Sequence, residues 1–568
     1  MVYALRVYLR HQNTCMEQKA YWNKWLDKWF YVLVLVGIAI NATGLFITIL
    51  DSDGTLYASI AKTIAQTGDF VNLKVQGKDW LDKPHFPFWM AAISYKIFGI
   101  NTFAYKFPAL LFWAMGLVYT YRLALSIYGK GVARIAALIY VTAAHLVISN
   151  NDVRAEPYLT GLIIGSIYHY YKATSSKIGF HLLVGSLWAA CAIMTKGPFV
   201  LITIAAGFVV DWAIKGEWRQ FFHYRWLLAI VLVAIFIIPE LYCLYAQFDL
   251  HPEKTVFDRT GVSGIRFFFW DSQFGRFFNT GPIKGSGDPF FYFHTLLWAF
   301  LPWSLLLYTA IFWKIRNAGN RTMPREFITL GAAGATFIVF SLSKFQLPHY
   351  SNILFPFFAI LTAQYLYEIR KEKAMNIIKW VQHTICVLVL LIIIALIIFY
   401  QPPHLTGIII WLVVVMLFTL LLFRKNNISN VIGRSFLAVV GVYGFLNIFF
   451  YPAIMEYQSG SKAAFYSNAH FTGKPATMFH NNSYSYTFYS TAPVYFWSDE
   501  ELQQQAAKHP VIVYTAAGNI DTLVKQGYHV SPVTTFPEFH ASQLTGTFIN
   551  HATRSRELKD FVVTEISR

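Results

Sequence analysis

The chain has 568 residues, of which 56% are hydrophobic and only 13% charged, with a formal net charge of +17. Soluble domains carry about 25% charged residues, so this composition excludes an ordinary soluble globular protein. The positive charges are scattered between apolar runs; this excludes a nucleic-acid-binding face and fits loop charge that sets membrane topology and meets anionic lipid.

In chain order, residues 1–30 form a polar N-terminal segment. Arg6, Arg10, Lys19, Lys24 and Lys28 outweigh Glu17 and Asp27 there, which predicts a cytoplasmic N-terminus. Trp22, Trp25, Trp29 and Tyr31 mark the headgroup level before a first span, Tyr31 to Leu50, that serves as an uncleaved anchor. The outer loop 51–89 is too polar to cross a membrane. Within it Tyr57, Ile60, Ala61 and Ile64 repeat at helical spacing, predicting an amphipathic helix at the outer surface. Short apolar segments follow from about Phe103 to Asp211, broken at Gly197-Pro198. A second outer loop, 247–289, interleaves Arg259, Arg266 and Arg276 with phenylalanines, as suits contact with headgroups and phosphates. A third loop surrounds Ser343 to Tyr350, and the last span ends near Tyr451-Pro452. A hydrocarbon core of about 30 Å takes about 20 helical residues, which predicts a polytopic α-helical membrane protein with about 13 transmembrane helices over residues 31–455. From 456 to 568 the long apolar runs stop. Strand-like Val511 to Tyr514 and helical Asp499 to Lys508 point to a small C-terminal α/β soluble domain. Cys15, Cys191, Cys243 and Cys386 have neither disulfide nor metal spacing.

Charged residues at the ends of spans are the candidates for chemistry, because lipid penalises charge without a partner or a task. Asp51 and Asp53 follow the first span. One reading makes a carboxylate there a general base; the other makes them N-caps of the helix that follows. Lys83, ahead of Pro84, is either a phosphate ligand or a lysine snorkelling to the interface. Asp82 and His85 form a candidate divalent-metal pair, with His251 or His294 as a remote third ligand; no other cofactor is implied. Arg154 and Glu156 lie between two apolar segments. Lys196, Arg259, Arg276 and Lys344 stand near span boundaries, where converging cations suit a phosphate. No phosphate-binding loop or dinucleotide fingerprint occurs in a suitable context, which points to a lipid-borne donor outside the membrane.

Six stretches in order resemble a known group. They are Asp53 to Asp69, Asp82-Lys83-Pro84, Asn151 to Thr160, Met194 to Pro198, Leu301-Pro302-Trp303, and Leu347-Pro348-His349-Tyr350 with Phe355-Pro356 after it. Together, over residues 30 to 365, they resemble the aminoarabinose transferase and protein O-mannosyltransferase group of the GT-C fold. Gly54 stands where that group usually has Glu, and His85 where it has a second Pro. The resemblance implies a bacterial inner-membrane glycosyltransferase that takes its sugar from a polyprenyl-phosphate carrier, with inversion, and passes it to a lipid, glycan or protein acceptor on the periplasmic side. It implies Asp53 as the base or acceptor-orienting group and Glu156 as a second acid. Lys83, Lys196, Arg276 and Tyr350 then meet the carrier phosphate, with Asp51, Arg154 and Arg259 as further candidates. The rival from another class is a transporter or flippase of an anionic polyprenyl lipid, which would use the same cations and spans.

Overall fold

A backbone surrounded by hydrocarbon must satisfy its own hydrogen bonds, and the apolar runs of this chain fold accordingly as helices. The computed structural model describes residues 2–175, 179–319, 325–541 and 543–568, with side chains from Trp22 onward. The side chains of Arg6, Arg10, Cys15, Glu17 and Lys19 fall outside that description. The first eleven helices are α1 (Val2–Ala42), α2 (Ser52–Thr67), α3 (Phe86–Phe98), α4 (Thr102–Tyr128), α5 (Lys130–Thr142), α6 (Ala144–Asn151), α7 (Glu156–Ser175), α8 (Phe180–Lys196), α9 (Val200–Lys215), α10 (Tyr224–Phe236) and α11 (Ile238–Leu244).

Among the described residues, five helices are long and apolar enough to cross a membrane. They include Trp22–Phe46, Thr102–Tyr128 and Glu372–Tyr400. The number rises to seven if two bent pairs are each one span, α5 with α6 (50°) being the sharper. Shorter apolar helices, such as Phe180–Lys196 and Ile328–Leu342, pack among these. The protein is a helical membrane protein.

Local chemistry sets the boundaries. Asn101 caps α4 by accepting the Ala104 N–H at 2.8 Å, and Gly129, at φ +85°, turns the chain from α4 into α5. Small residues let α4 and α7 approach closely. A Cβ on Gly161 would lie 2.0 Å from the Phe112 carbonyl oxygen, and Gly116 faces Gly161 across the same contact.

Outside the bundle, α2 is covered instead of lying open on the surface. Gly54 to Ala61 and Ile64 are buried, because α3 packs on one side and the C-terminal helix Tyr484–Tyr489 on another. After α2 comes a tight antiparallel hairpin, β1 (Lys74–Val75) with β2 (Lys78–Asp79), which turns at Gln76 and Gly77, both at positive φ. Residues 456–568 form a mixed sheet from β3 (Ala476–Met478), β4 (Val494–Tyr495), β5 (Val511–Ala516), β6 (His529–Val530), β7 (Thr534–Glu538) and β8 (Lys559–Ser567). The order is β4-β3-β5-β8-β6, with β7 also on β8. β3 runs parallel to its neighbours and β8 antiparallel to β5, β6 and β7. Ser498 and Glu501 cap the helix Asp499–Ala506 reciprocally, and this helix closes one face of the sheet through Leu502 and Ala506.

The α4–α7 contact yields a test. Gly161→Leu must push the Phe112 backbone away, at a cost of about 1–3 kcal/mol. The expected result is a lower Tm in detergent than for wild type; an unchanged Tm would show that the two helices do not approach this closely.

Candidate functional site

Helix termini bring the site together, and each supplies the charge its end favours. Glu156 opens α7 and Asp53 lies in the first turn of α2, where partial positive charge favours acids. Lys196 closes α8, where partial negative charge favours a cation. The loop 79–85, the π-helical stretch Phe267–Gly275 with Arg276 after it, and the turn Pro348–Leu354 add the rest.

These segments enclose a chamber of about 60 Å³ lined by Asp53, Asp82, Lys83, Arg154, Glu156, Lys196, Arg276, His349 and Tyr350, among others. Four cations against three carboxylates leave it one net positive charge with His349 neutral. Burial holds that imidazole well below its ordinary 6.5, against the pull of Glu156.

The pairing within the chamber is specific. Glu156, which is almost wholly buried, bonds the Lys196 ammonium, and His349 Nε2 stands 3.9 Å from the same carboxylate. The Lys196 ammonium also lies over the Tyr350 ring, 3.5 Å from its centroid. Lys83 meets Asp82 at 2.6 Å, and Arg276 bonds the other oxygen of Asp82. Burial would raise the Asp82 carboxyl, but Lys83 and Arg276 together hold it below its ordinary 3.8. Burial lowers the Lys83 ammonium from 10.5 despite Asp82. Arg154 forks across three carboxylates, reaching Asp53 at 2.9 Å, Asp152 at 3.1 Å, and Asp51. Asp51 is the N-cap of α2, accepting the Asp53 N–H at 3.4 Å. Its side chain is 14% exposed against 49% for Asp53, so Asp53 is the carboxylate open to a reacting group.

Beside the chamber runs an apolar groove of about 460 Å³, walled by Phe199, Ile202, Phe269, Phe274, Phe277, Phe340 and their neighbours. Lys196, Arg276, Phe345 and Tyr350 line both spaces. The two therefore meet where two cations stand.

Comparison with known proteins agrees with this architecture. The family profile described as dolichyl-phosphate-mannose-protein mannosyltransferase matches residues 82–243, a stretch that holds Asp82, Lys83, Arg154, Glu156 and Lys196. An uncharacterized protein of Aquifex aeolicus is 25% identical over 59% of this chain and 63% of its own length. The undecaprenyl phosphate-alpha-4-amino-4-deoxy-L-arabinose arabinosyl transferase of Edwardsiella ictaluri is 28% identical over 57% of each chain. These matches span less than two thirds of either relative. The crystal structure of ArnT from Cupriavidus metallidurans bound to undecaprenyl phosphate superposes with a TM-score of 0.72, at 15% identity, over 94% of this chain and 98% of that one. The fold is ArnT-like, of the GT-C type.

Within this ArnT-like fold most of the residues singled out from the sequence come together, and some do not. Arg259 sits exposed on the 251–263 loop, its backbone paired with Val256, and Lys344 points outward; neither lines the chamber or the groove. The expected Asp82–His85 metal pair does not form. His85 is fully buried, with Nδ1 3.0 Å from Glu240 and Nε2 3.0 Å from the Val71 carbonyl, so both ring nitrogens are engaged. Asp82 is taken by Lys83 and Arg276. His251 pairs with Glu253, and His294 with Asp288. Among the described residues, no group of three or more His, Cys, Asp or Glu is arranged to hold a metal ion.

Two residues at the edge of the site were missed, although Glu240, a lone charge between Pro239 and Leu241 in an apolar stretch, carried a signal. Glu240 accepts the His85 N–H at 3.1 Å as well as its ring, while Gln247 bonds both backbone groups of Leu73 and the Asp79 carboxylate, each at 2.9 Å. Together they pin the loop that presents Lys83. Asp249 would have matched the same composition cue as Glu240; only the fold separates them.

The Asp82 pairing sets an acid limit. Its folded value lies below the unfolded one, so its stabilisation is present above the ordinary carboxylate range and is lost as pH falls through the folded value, below 3.8. Lys83→Met removes one of its two cations and is expected to move the acid-unfolding midpoint to higher pH, read by tryptophan fluorescence in detergent. A midpoint that stays put would show that the pair contributes nothing to folding.

Proposed function

We propose that this chain is a glycosyltransferase of the bacterial inner membrane. It moves a sugar from a polyprenyl (undecaprenyl-type) phosphate carrier to a lipid A-like glycolipid or another envelope acceptor, with inversion. The observation that carries this reading is the junction itself: a small polar chamber with cations opens into an apolar groove at Lys196, Arg276 and Tyr350. A phosphate head with a long hydrocarbon tail and a sugar beyond the phosphate matches that junction. The arabinosyl transferases similar to this chain act, by their names, on such a phosphate-linked donor. The anionic ligand of a flippase would suit the same cations, but transporter sites lie near the bilayer midplane, whereas here the charges gather at one set of helix ends.

In this reading Lys83, Lys196 and Arg276 bind the carrier phosphate and stabilise the charge it gains on leaving. The bond from the sugar's anomeric carbon to the phosphate oxygen breaks, its electron pair staying on the phosphate. The acceptor oxygen bonds to the opposite face of that carbon. Asp53 takes the proton of a hydroxyl acceptor, or orients an acceptor that is already an ionised phosphate. Arg154 holds Asp53 in place and Glu156 holds Lys196. Tyr350 donates a hydrogen bond to the phosphate.

The topology belongs to the same proposal: N-terminus cytoplasmic, chamber and C-terminal domain periplasmic, and about thirteen crossings once the shorter helices such as α8 and Ile328–Leu342 are included.

The deciding assay gives purified protein a panel of radiolabelled polyprenyl-phosphate sugars with envelope extract as acceptor. Wild type is expected to move label into a lipid or protein fraction. Asp53→Asn should lower kcat by roughly 10²–10⁴-fold with little change in carrier KM, whereas Lys83→Met should raise that KM. Failure of every sugar to move, alongside lipid translocation in vesicles, would replace this reading with the flippase.

A further inference from the structure

The C-terminal domain reaches the scaffold of the site without entering the chamber. Lys62, on α2, aims its ammonium at the end of the short helix Tyr484–Tyr489. It donates to the carbonyls of Thr487 and Phe488 at 3.0 Å each and of Ser490 at 2.7 Å, using all three of its donors. Tyr489, from that helix, accepts the Ile49 N–H on its hydroxyl at 2.9 Å, and the same hydroxyl lies 3.0 Å from Thr102 Oγ1. Gln458 donates its amide to the carbonyls of Ile49 and Leu50 at 2.9 and 3.2 Å.

These contacts converge on the connection between α1 and α2. Residues 48–50 are neither helix nor strand, so no ladder satisfies their backbone groups. Both backbone groups of Ile49 are instead bonded to side chains more than 400 positions away. The residue after Leu50 is Asp51, whose carboxylate caps the N–H of Asp53. Direction and register of the first turn of α2 are therefore determined at one end by Gln458 and Tyr489, and along its length by Lys62.

We propose that the C-terminal domain is a positioning element of the transfer site, in which Gln458, Tyr489 and the helix end gripped by Lys62 aim Asp53 at the acceptor. This rests on the role given to Asp53 above. None of the three touches the phosphate-binding side chains. Asn482 and Thr487 accept from Gln76, in the hairpin before Lys83, at 2.7 and 3.3 Å. Gln247 holds that hairpin independently through Leu73 and Asp79, so the domain acts chiefly on the chemical step. A displacement of about 1 Å in a reacting group costs on the order of a hundredfold in rate.

The test uses the full-length protein in detergent. In Lys62→Met/Tyr489→Phe, kcat is expected to fall at least roughly tenfold, while carrier KM stays within about twofold of wild type. Lys62→Arg keeps a cationic donor and should retain most of the activity. Lys474→Met breaks an ion pair with Glu565 inside the same domain and away from α2, and should leave kcat unchanged. Amide exchange of residues 49–55 should quicken in the double variant and not in Lys474→Met. The proposal is overturned if the folded double variant keeps its kcat, if KM rises in step with the loss, or if Lys474→Met loses as much. If wild type moves no sugar, the functional reading fails by itself. Exchange at residues 49–55 then decides the clamp alone: faster exchange in the double variant supports it and unchanged exchange overturns it.

Discussion

A lysine or arginine withdrawn from water needs a partner, and in the chamber that partner is a carboxylate; this constraint orders one end of the helical bundle. Lys196 is held by Glu156, Lys83 and Arg276 by Asp82, and Arg154 by three aspartates. Lys83–Asp82 and Arg154–Asp152 are local, but the other pairs join segments 40 to 194 positions apart, so these act as registration marks of the bundle as well as contents of the chamber. They also keep the cations in place before any ligand arrives. In the proposed reaction an incoming phosphate would find donors already oriented and would have only to compete with carboxylates for them. That competition is a smaller rearrangement than gathering flexible lysines from solvent, and preorganisation of this kind is the main resource an electrostatic site has.

Most parts of the site that could be read from the sequence share one property: they lie at the ends of apolar runs. Lys83, inside the polar 51–89 loop, was instead legible from the Asp82-Lys83-Pro84 stretch. Asp53, Glu156 and Lys196 each stand beside a hydrophobic run, where a charge demands an explanation. The same logic singled out Arg259 and Lys344, which the structure leaves exposed. A charge in a polar loop carries no such demand, and the aromatic residues around Arg259 belong to packing against Phe267 instead. Glu240 interrupts an apolar stretch just as Asp53, Glu156 and Lys196 do and was passed over, whereas Gln247 is uncharged and carries no such mark. Their partners, His85 and Leu73, lie more than 150 positions earlier, so neither pairing is legible locally. The helix at Tyr57–Gln66 was legible from its period, but the identity of the surface covering its apolar face was not. Periodicity shows that a face will be buried; it is silent on whether lipid or protein buries it.

Beyond the bundle, short strands and a polar helix were legible from composition, while the reciprocal cap of that helix and the pairing of β8 with three other strands were not. Long-range registers of that kind are set by the sheet as a whole. The same holds for the attachments of the domain to the membrane part. His551 donates to the Phe399 carbonyl at 2.8 Å, and Arg554 reaches the Tyr400 carbonyl at 2.6 Å, so the domain is anchored on the helix Glu372–Tyr400 as well as on α2.

The His85–Glu240 pair bears on how such a loop can change over generations. The Glu240 carboxylate takes two hydrogen bonds from His85, one of them from the backbone N–H that a proline lacks. Replacing His85 alone would leave a fully buried carboxylate short of donors, and replacing Glu240 alone would orphan the imidazole and its amide. The two positions are thus epistatic: each is neutral only in the company of the other. The loop that carries Lys83 is therefore held by a two-residue unit whose halves lie 155 positions apart.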